Sequence, residues 1–360
     1  MIVSTIEQAL NQGTRRAADV ILWLMAALHV AMVASLLVVL TFAGSARADD
    51  QTCRGRNLLR QLETENKAAF DSLVDEAAEV PNGKGLFWQV EKPGTPPSWL
   101  FGTMHVTDPR VLAMPNAARD ALMKASTVAI ESDEILDEKK AMAAMLMKPE
   151  LSMFTDGSTI VDHLDDTDAK ILEEGLRDRG LSLAAVSRMK PWILAGFVAL
   201  PACELARKAS GASFLDKKIA EDAVAAGKTV KGLETLEEQL AAMDELPLSF
   251  HIEALLETLA LGDRMQDVMS TMTDLYVSGD IGMTMPMLKA VTDSHSGSDG
   301  SYAAFEQRIV TDRNHVMANR SMPILKEGNA FIAVGALHLP GEEGLVELLR
   351  KQGFTVSLVN

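Results

Sequence analysis

The sequence is poor in cysteine, with two among 360 residues. Cys53 and Cys203 stand alone, so no cysteine-based zinc motif can be built from them. Cys53 follows Ala-Asp-Asp-Gln-Thr, which is not the apolar lipobox that a lipid-anchored cysteine needs. His-Glu-x-x-His and Gly-x-Ser-x-Gly are both missing, so the zincin and serine-hydrolase routes have no support. No repeat of solenoid period occurs. Basic residues are also scarce: 34 Lys and Arg stand against 50 Asp and Glu, for a net charge of −16. Such a body repels phosphate backbones, which argues against nucleic acid as a partner.

Hydrophobic residues, by contrast, make up 48% of the chain, enough for a packed core. Arg15-Arg16 precede an apolar run, Val20–Phe42, and Ala46-Arg47-Ala48 follows it. This order is that of a secretory signal peptide cleaved after Ala48. The run exceeds the usual ~7–15 residues of a signal core and reaches the about 20 that span a bilayer. A membrane anchor at residues 20–42 is therefore the alternative. Either reading exports the rest, to the periplasm or beyond, where the two cysteines can meet oxidising conditions and pair.

Residues 49–84 are expected to form an N-terminal helix over Cys53–Ala78 and a turn-rich linker. The main domain is placed at 85–360. Leu86–Glu91 and Trp99–Thr103 read as an antiparallel hairpin, and Thr127–Glu131 as a buried strand. Residues 137–330 read as mostly helical, with one embedded strand, Thr229–Leu233. Asp293–Ser301 is a polar loop. Ala330–Val334 is a buried strand, Glu342–Leu349 a helix, and Phe354–Val359 the last strand. The fold class is α+β: a central mixed β-sheet built from N- and C-terminal strands, with a large helical block between them. Trp88, Trp99 and Trp192 are expected beside the strands. The 20 methionines fill irregular helical cores.

The two ends of this sheet share a pattern. Ser98–His105 and Ala330–His338 are short apolar runs that each end in Gly-x-x-His. Gly102 and Gly335 lack a Cβ, so the chain can bend there or admit a close neighbour. The strands can then deliver His105 and His338 to one site beyond their ends, where open α/β sheets bind ligands. Glu131 and Glu234 also end strands, and Arg313 can join them from a helix. Two histidines and a carboxylate suit a divalent ion such as manganese, cobalt or zinc, with a position left open for water. His105, His338 and Glu131 are the expected ligands. Glu131, Glu234 and Arg313 are the expected catalytic set, with Arg313 facing negative charge on the substrate. His163, His251, His295 and His315 read as surface or loop residues.

Two Gly-x-x-His motifs, Gly102-Thr103-Met104-His105 and Gly335-Ala336-Leu337-His338, resemble those of the TraB/PrgY/GumN family, which includes the Tiki proteins. Glu131-Ser132-Asp133, Lys190-Pro191-Trp192, Gly232–Gln239, Arg313-Asn314 and the tail Val334–Gly341 match it in order. The resemblance runs from about Gly85 to Asn360 and is nearest to the bacterial GumN-like branch. It implies a metal-dependent hydrolase fold. Tiki members are regarded as metalloproteases that cut near the N-terminus of a secreted protein, using these histidines and a glutamate. Carried over, those positions are His105, His338 and Glu131. The family's usual Glu-Arg-Asn is Asp312-Arg313-Asn314 here, which keeps the charge on a shorter side chain.

Two functions follow as expectations. One is an exported metal-dependent hydrolase acting on a peptide or protein. The other is a non-catalytic peptide- or glycan-binding protein of the cell envelope, which needs the cleft but no metal.

Overall fold

Three apolar runs and the more polar Thr229–Gly232, each leading into or ending near a glycine or an acid, become the parallel part of one sheet. The computed structural model describes Cys53, residues 55–292 and residues 303–359. Both readings of segment 1–48 and the polar loop 293–301 lie outside the described residues. The strands are β1 (Phe87–Glu91), β2 (Ser98–Thr103), β3 (Thr127–Ile130), β4 (Thr229–Gly232), β5 (Ala330–Gly335) and β6 (Thr355–Leu358). Their order is β4-β3-β5-β2-β1-β6. β4, β3, β5 and β2 are mutually parallel. β1 is antiparallel to both β2 and β6. The sheet is thus mixed, drawn from both ends of the domain, with the expected hairpin at its start.

Alternation along β5 divides two cores, because successive side chains leave opposite faces of a strand. Phe331 and Ala333 join Phe101, Val128, Ile130 and Ile219 on one face. Ala330, Ile332 and Val334 join Leu100, Met317, Leu325 and Val346 on the other. Helix Leu215–Ala225 covers the first face, and helices Asp312–Glu327 and Leu345–Lys351 the second. The helical block has its own core around Leu172, Leu194, Leu255 and Leu259.

Several expected boundaries shift. Cys53–Ala78 holds two helices, Leu58–Glu65 and Lys67–Ala78, because Asn66 leaves helical geometry and caps the second with its side chain. The last helix starts at Leu345 rather than Glu342, since Pro340-Gly341 extends the turn. Trp192 belongs to the helical block, on helix Pro191–Val198, and not to the strands. No helix among the described residues is long and apolar enough to cross a membrane. Cys53 and Cys203 form a disulfide.

Candidate metal centre

Because β2, β3, β4 and β5 run parallel, their C-terminal ends share one rim. His105 lies two residues past β2, Glu131 directly past β3, Glu234 two past β4, and His338 three past β5 in the 3-10 turn Ala336–His338. Arg313 joins these four, so all five expected site residues converge there. The Nε2 atoms of His105 and His338 lie 3.9 and 3.8 Å from the same Glu131 oxygen, Oε1. His338 and Glu131 are buried, whereas the His105 side chain is 54% exposed and forms the open side.

Each glycine of the paired motif has a distinct spatial role. A Cβ at Gly102 would lie 2.8 Å from Leu339 Cδ1 and 3.1 Å from Ala336, so the turn after β5 would have to shift away from β2 by a few tenths of an ångström. A Cβ at Gly335 would stand 3.1 Å from Glu131 Oε1, 3.5 Å from His338 Cδ2 and 3.8 Å from His105 Nε2. Gly335 leaves the centre of the site clear, and its N–H donates to Glu131 Oε1 at 2.7 Å.

Both imidazoles are oriented from behind. His338 Nδ1 donates to Asn314 Oδ1 at 2.7 Å; an amide oxygen only accepts, which leaves the Nε2 lone pair toward Glu131. His105 Nδ1 donates to Asp216 Oδ2 at 3.0 Å, and Thr103 Oγ1 donates to Asp216 Oδ1 at 2.6 Å. Asn314 comes from the helix on one face of the sheet and Asp216 from the helix on the other. Asp216 also lies close enough to His105 and Glu131 to count as a possible ligand. Both its oxygens already accept hydrogen bonds, so it is better placed to hold His105 than to ligate.

Arg313 joins the two glutamates. Its Nη2 donates to Glu131 Oε2 at 2.7 Å and to Glu234 Oε2 at 2.6 Å, and Nε donates to both Glu234 oxygens at 3.1 Å. Gln239 Nε2 donates to Glu131 Oε2 at 3.1 Å. Arg313 therefore spends these donors on Glu131 and Glu234. Glu234, its side chain 2% exposed, is enclosed by that pairing. A π-helical turn, Glu306–Thr311, precedes the helix that carries Arg313 and Asn314; such turns recur at functional sites.

Protonation follows from these contacts. Burial lowers the His338 pKa to about 4 despite the nearby Glu131, so this ring is neutral at pH 7. Burial also disfavours the charged form of His105, but Asp216 and then Glu131 outweigh it and raise that pKa to about 9. Solvent at its exposed side moderates the shift. For Glu131, burial opposes ionisation, yet its carboxyl is held well below the usual range by His338, His105, Arg313 and the Gly335 N–H. With His338 neutral, the lasting support at pH 7 comes from the other three.

The donor set suits a divalent ion. Ligands about 2.1 Å from a tetrahedral ion lie about 3.4 Å apart, and the two observed His–Glu separations exceed that by half an ångström or less. Glu131, Glu234 and Asp216 against Arg313 leave two negative charges when His105 is neutral, which a divalent cation balances.

Sequence reasoning named the ligand candidates but not Asp216 or Thr103, and it gave Asn314 no role. The signal for Asp216 was its spacing: it shares the buried stripe of Ile219, Ala220 and Ala223. An acid on an apolar stripe calls for a partner. Among the other histidines, His251 is buried, with Nε2 2.8 Å from the Met243 carbonyl oxygen, contrary to the surface reading. His315 is exposed and pairs with Glu343. His163 stacks on Phe154. His295 lies outside the described residues.

Comparison with known proteins places the whole chain. The chain is 24% identical over 335 residues to "Metalloprotease TIKI homolog" of Nematostella vectensis, covering 79% of this chain and 69% of that protein. It is 25% identical to "Metalloprotease TIKI2" of Xenopus tropicalis, over 75% of this chain and 59% of that one. To "Metalloprotease TIKI1" of Homo sapiens it is 23% identical, over 75% and 61%. The chain thus spans roughly three fifths to two thirds of these relatives. No solved structure matches significantly. The sequence profile of the TraB/PrgY/gumN family covers residues 86–358, from β1 through β6 and with every residue of the rim. That match takes in most of the described chain, and the chain belongs to the TraB/PrgY/gumN family.

Proposed function

We propose that the protein is an exported metal-dependent hydrolase that cleaves peptide bonds. One observation carries the reading: two imidazole Nε2 atoms, each set by a hydrogen bond on the opposite nitrogen, face one Glu131 oxygen. His105, His338 and Glu131 would hold the ion. Manganese, cobalt or zinc fits nitrogen and oxygen donors of this kind. When bound, the ion would polarise a carbonyl and lower the pKa of a coordinated water. Arg313 and Gln239 keep the outer Glu131 oxygen fixed, so that Oε1 stays between the rings. Asp216 and Asn314 keep the imidazoles aimed. The open flank at His105 would admit the substrate. Relatives named as metalloproteases support the peptide substrate, and the disulfide suits a periplasmic or secreted setting.

The test is elemental analysis of the purified protein together with turnover of a peptide library. About one divalent ion per chain and measurable cleavage are expected, with both lost in His338→Ala while the circular dichroism is retained. Unchanged metal content and turnover in that variant would overturn the reading. A loaded protein that cleaves nothing but binds peptides or glycans would instead favour the envelope binding protein.

A further inference from the structure

We infer that helix Ala202–Ala209, anchored by the Cys53–Cys203 disulfide, positions the segment that carries His105. The inference rests on the proposed metal site for its consequence, but not for its geometry.

His105 lies on the stretch between β2 and the short helix Pro109–Leu112. Helix Ala202–Ala209 grips that stretch through polar contacts. Glu204 accepts the Thr107 N–H and the Thr107 hydroxyl, each at 2.8 Å. Arg207 Nε donates to Thr107 Oγ1 at 2.8 Å, and its Nη2 to Glu204 Oε2 at 2.9 Å. Lys208 Nζ donates to the His105 carbonyl oxygen at 3.3 Å. Phe214, just past the helix, meets the His105 ring edge-on at 5.5 Å.

Apolar packing does not hold this helix. Its buried residue is Glu204, a carboxylate, and none of its side chains belongs to a hydrophobic core. What fixes it is Cys203, one residue before Glu204, bonded to Cys53. The chain after Cys53 is itself fastened to helix Arg264–Ser278. Arg56 pairs with Asp267 at 3.1 Å, Asn57 Nδ2 donates to Asp274 at 2.8 Å, and the Leu58 N–H donates to Thr271 Oγ1 at 2.9 Å. A Cβ at Gly55 would collide with the Gln266 carbonyl, so the segment lies flat on that helix. The same helix reaches the strand before His105, where the Tyr276 hydroxyl donates to the Gly102 carbonyl at 2.9 Å. The disulfide therefore ties a thinly packed clamp to a well-packed platform. Both cysteines are accessible enough to be reduced, Cys53 and Cys203 each being half-buried.

Reduction by a small dithiol balances simply. The dithiol closes to a cyclic disulfide, and Cys53 and Cys203 each gain one electron and one proton as thiols. Freed from the covalent tie, the helix is left with its polar contacts to the buried Thr107 and to the His105 carbonyl, beside the Arg207 Nη2 contact to Cys53 Sγ at 3.1 Å, and His105 loses its fixed position.

Hydrogen exchange and cobalt(II) titration test this on the full chain, oxidised and dithiol-reduced, and on Glu204→Ala and Glu204→Gln with the disulfide intact. Amides of 104–108 are expected to exchange faster in the reduced protein and in Glu204→Ala while β3 and β5 stay protected. Cobalt should bind about tenfold or more weakly in both, with an altered visible spectrum. Glu204→Gln keeps an acceptor for the Thr107 N–H and should recover most of the protection and affinity. Unchanged exchange at 104–108 in Glu204→Ala would overturn the inference, as would a loosened loop with undiminished cobalt affinity. Should reduction open the whole fold, the Glu204 variants decide. Should the oxidised wild type take up no cobalt, the proposed function fails, and exchange at 104–108 alone decides the clamp.

Discussion

Asn314 accepts the Nδ1–H of His338 at 2.7 Å and passes its own Nδ2–H to the Glu343 carbonyl at 2.9 Å. The amide can satisfy both contacts in one orientation only, because its oxygen accepts and its nitrogen donates. The His338 tautomer is thereby fixed from outside the rim. Asn314→Ala should weaken metal binding by about 10- to 100-fold, as loss of such an orienting partner generally does. Titration with cobalt or zinc checks this, with a thermal melt to show that the fold persists. Affinity within a factor of about two of wild type would mean the ring needs no such hold.

Metal uptake should also release a proton. His105 carries a pKa raised to about 9 in the metal-free protein, so at pH 7 its ring is charged and Nε2 is blocked. An ion can bind only the neutral ring. His338, lowered to about 4, contributes no proton at that pH. Apparent affinity should therefore rise about tenfold per pH unit up to about 9 and then flatten. The sign for stability is opposite: a raised pKa stabilises the metal-free fold below the ordinary value of 6.5, and that gain fades as pH climbs through about 9. Calorimetry at pH 7 in buffers of differing ionisation enthalpy measures the proton directly. Release of close to none would place the ion elsewhere or the ring neutral.

What the sequence made readable follows from what each feature depends on. Ala330–Val334 and Thr127–Glu131 announce themselves because a strand buried on both faces is a continuous apolar run. Gly102 and Gly335 mark the same event at both ends of the domain. Sheet order could not be read, because β3 finds β5 across about two hundred residues and nothing local encodes that pairing. The ligands were legible as residue types at strand ends. Their supports were not: Asp216 shares its helix with the surface acids Glu221 and Asp222, Glu204 lies among the basic and small residues of a short helix, and burial is what marks both. Arg313 was visible, but its direction was not. The structure turns it inward to two glutamates, where sequence chemistry alone pointed it at substrate.

Removing Arg313 should damage the fold as well as the site. The guanidinium lies between Glu131 and Glu234, whose side chains are 8% and 2% exposed. Without it, two buried carboxylates face each other with no cation, and breaking a buried network in this way costs about 3–5 kcal/mol. Arg313→Met should unfold in urea at clearly lower concentration. Adding Glu234→Gln should restore part of the loss, since one of the two charges is gone. Full stability in Arg313→Met, or no recovery in the double variant, would argue that solvent already shields these carboxylates.

Gly335→Ala separates site from scaffold more cleanly. The backbone at Gly335 has φ −51° and ψ 135°, a conformation alanine adopts freely, so the substitution adds no backbone strain. Its methyl carbon, however, would lie 3.1 Å from Glu131 Oε1, tighter than ordinary van der Waals contact, with His338 Cδ2 3.5 Å away. Glu131 cannot retreat easily, because Arg313 holds its other oxygen at 2.7 Å and Gln239 holds it at 3.1 Å. The carboxylate must rotate, and the hydrogen bond from the Gly335 N–H at 2.7 Å weakens with it. Metal affinity should fall at least about tenfold, while the melting temperature drops by only a few degrees, in line with about 1 kcal/mol for one compromised hydrogen bond. Cobalt titration beside a thermal melt reads both quantities. Intact affinity would show that the space in front of Gly335 is not where the ion sits, and would move the centre toward His105 and Asp216.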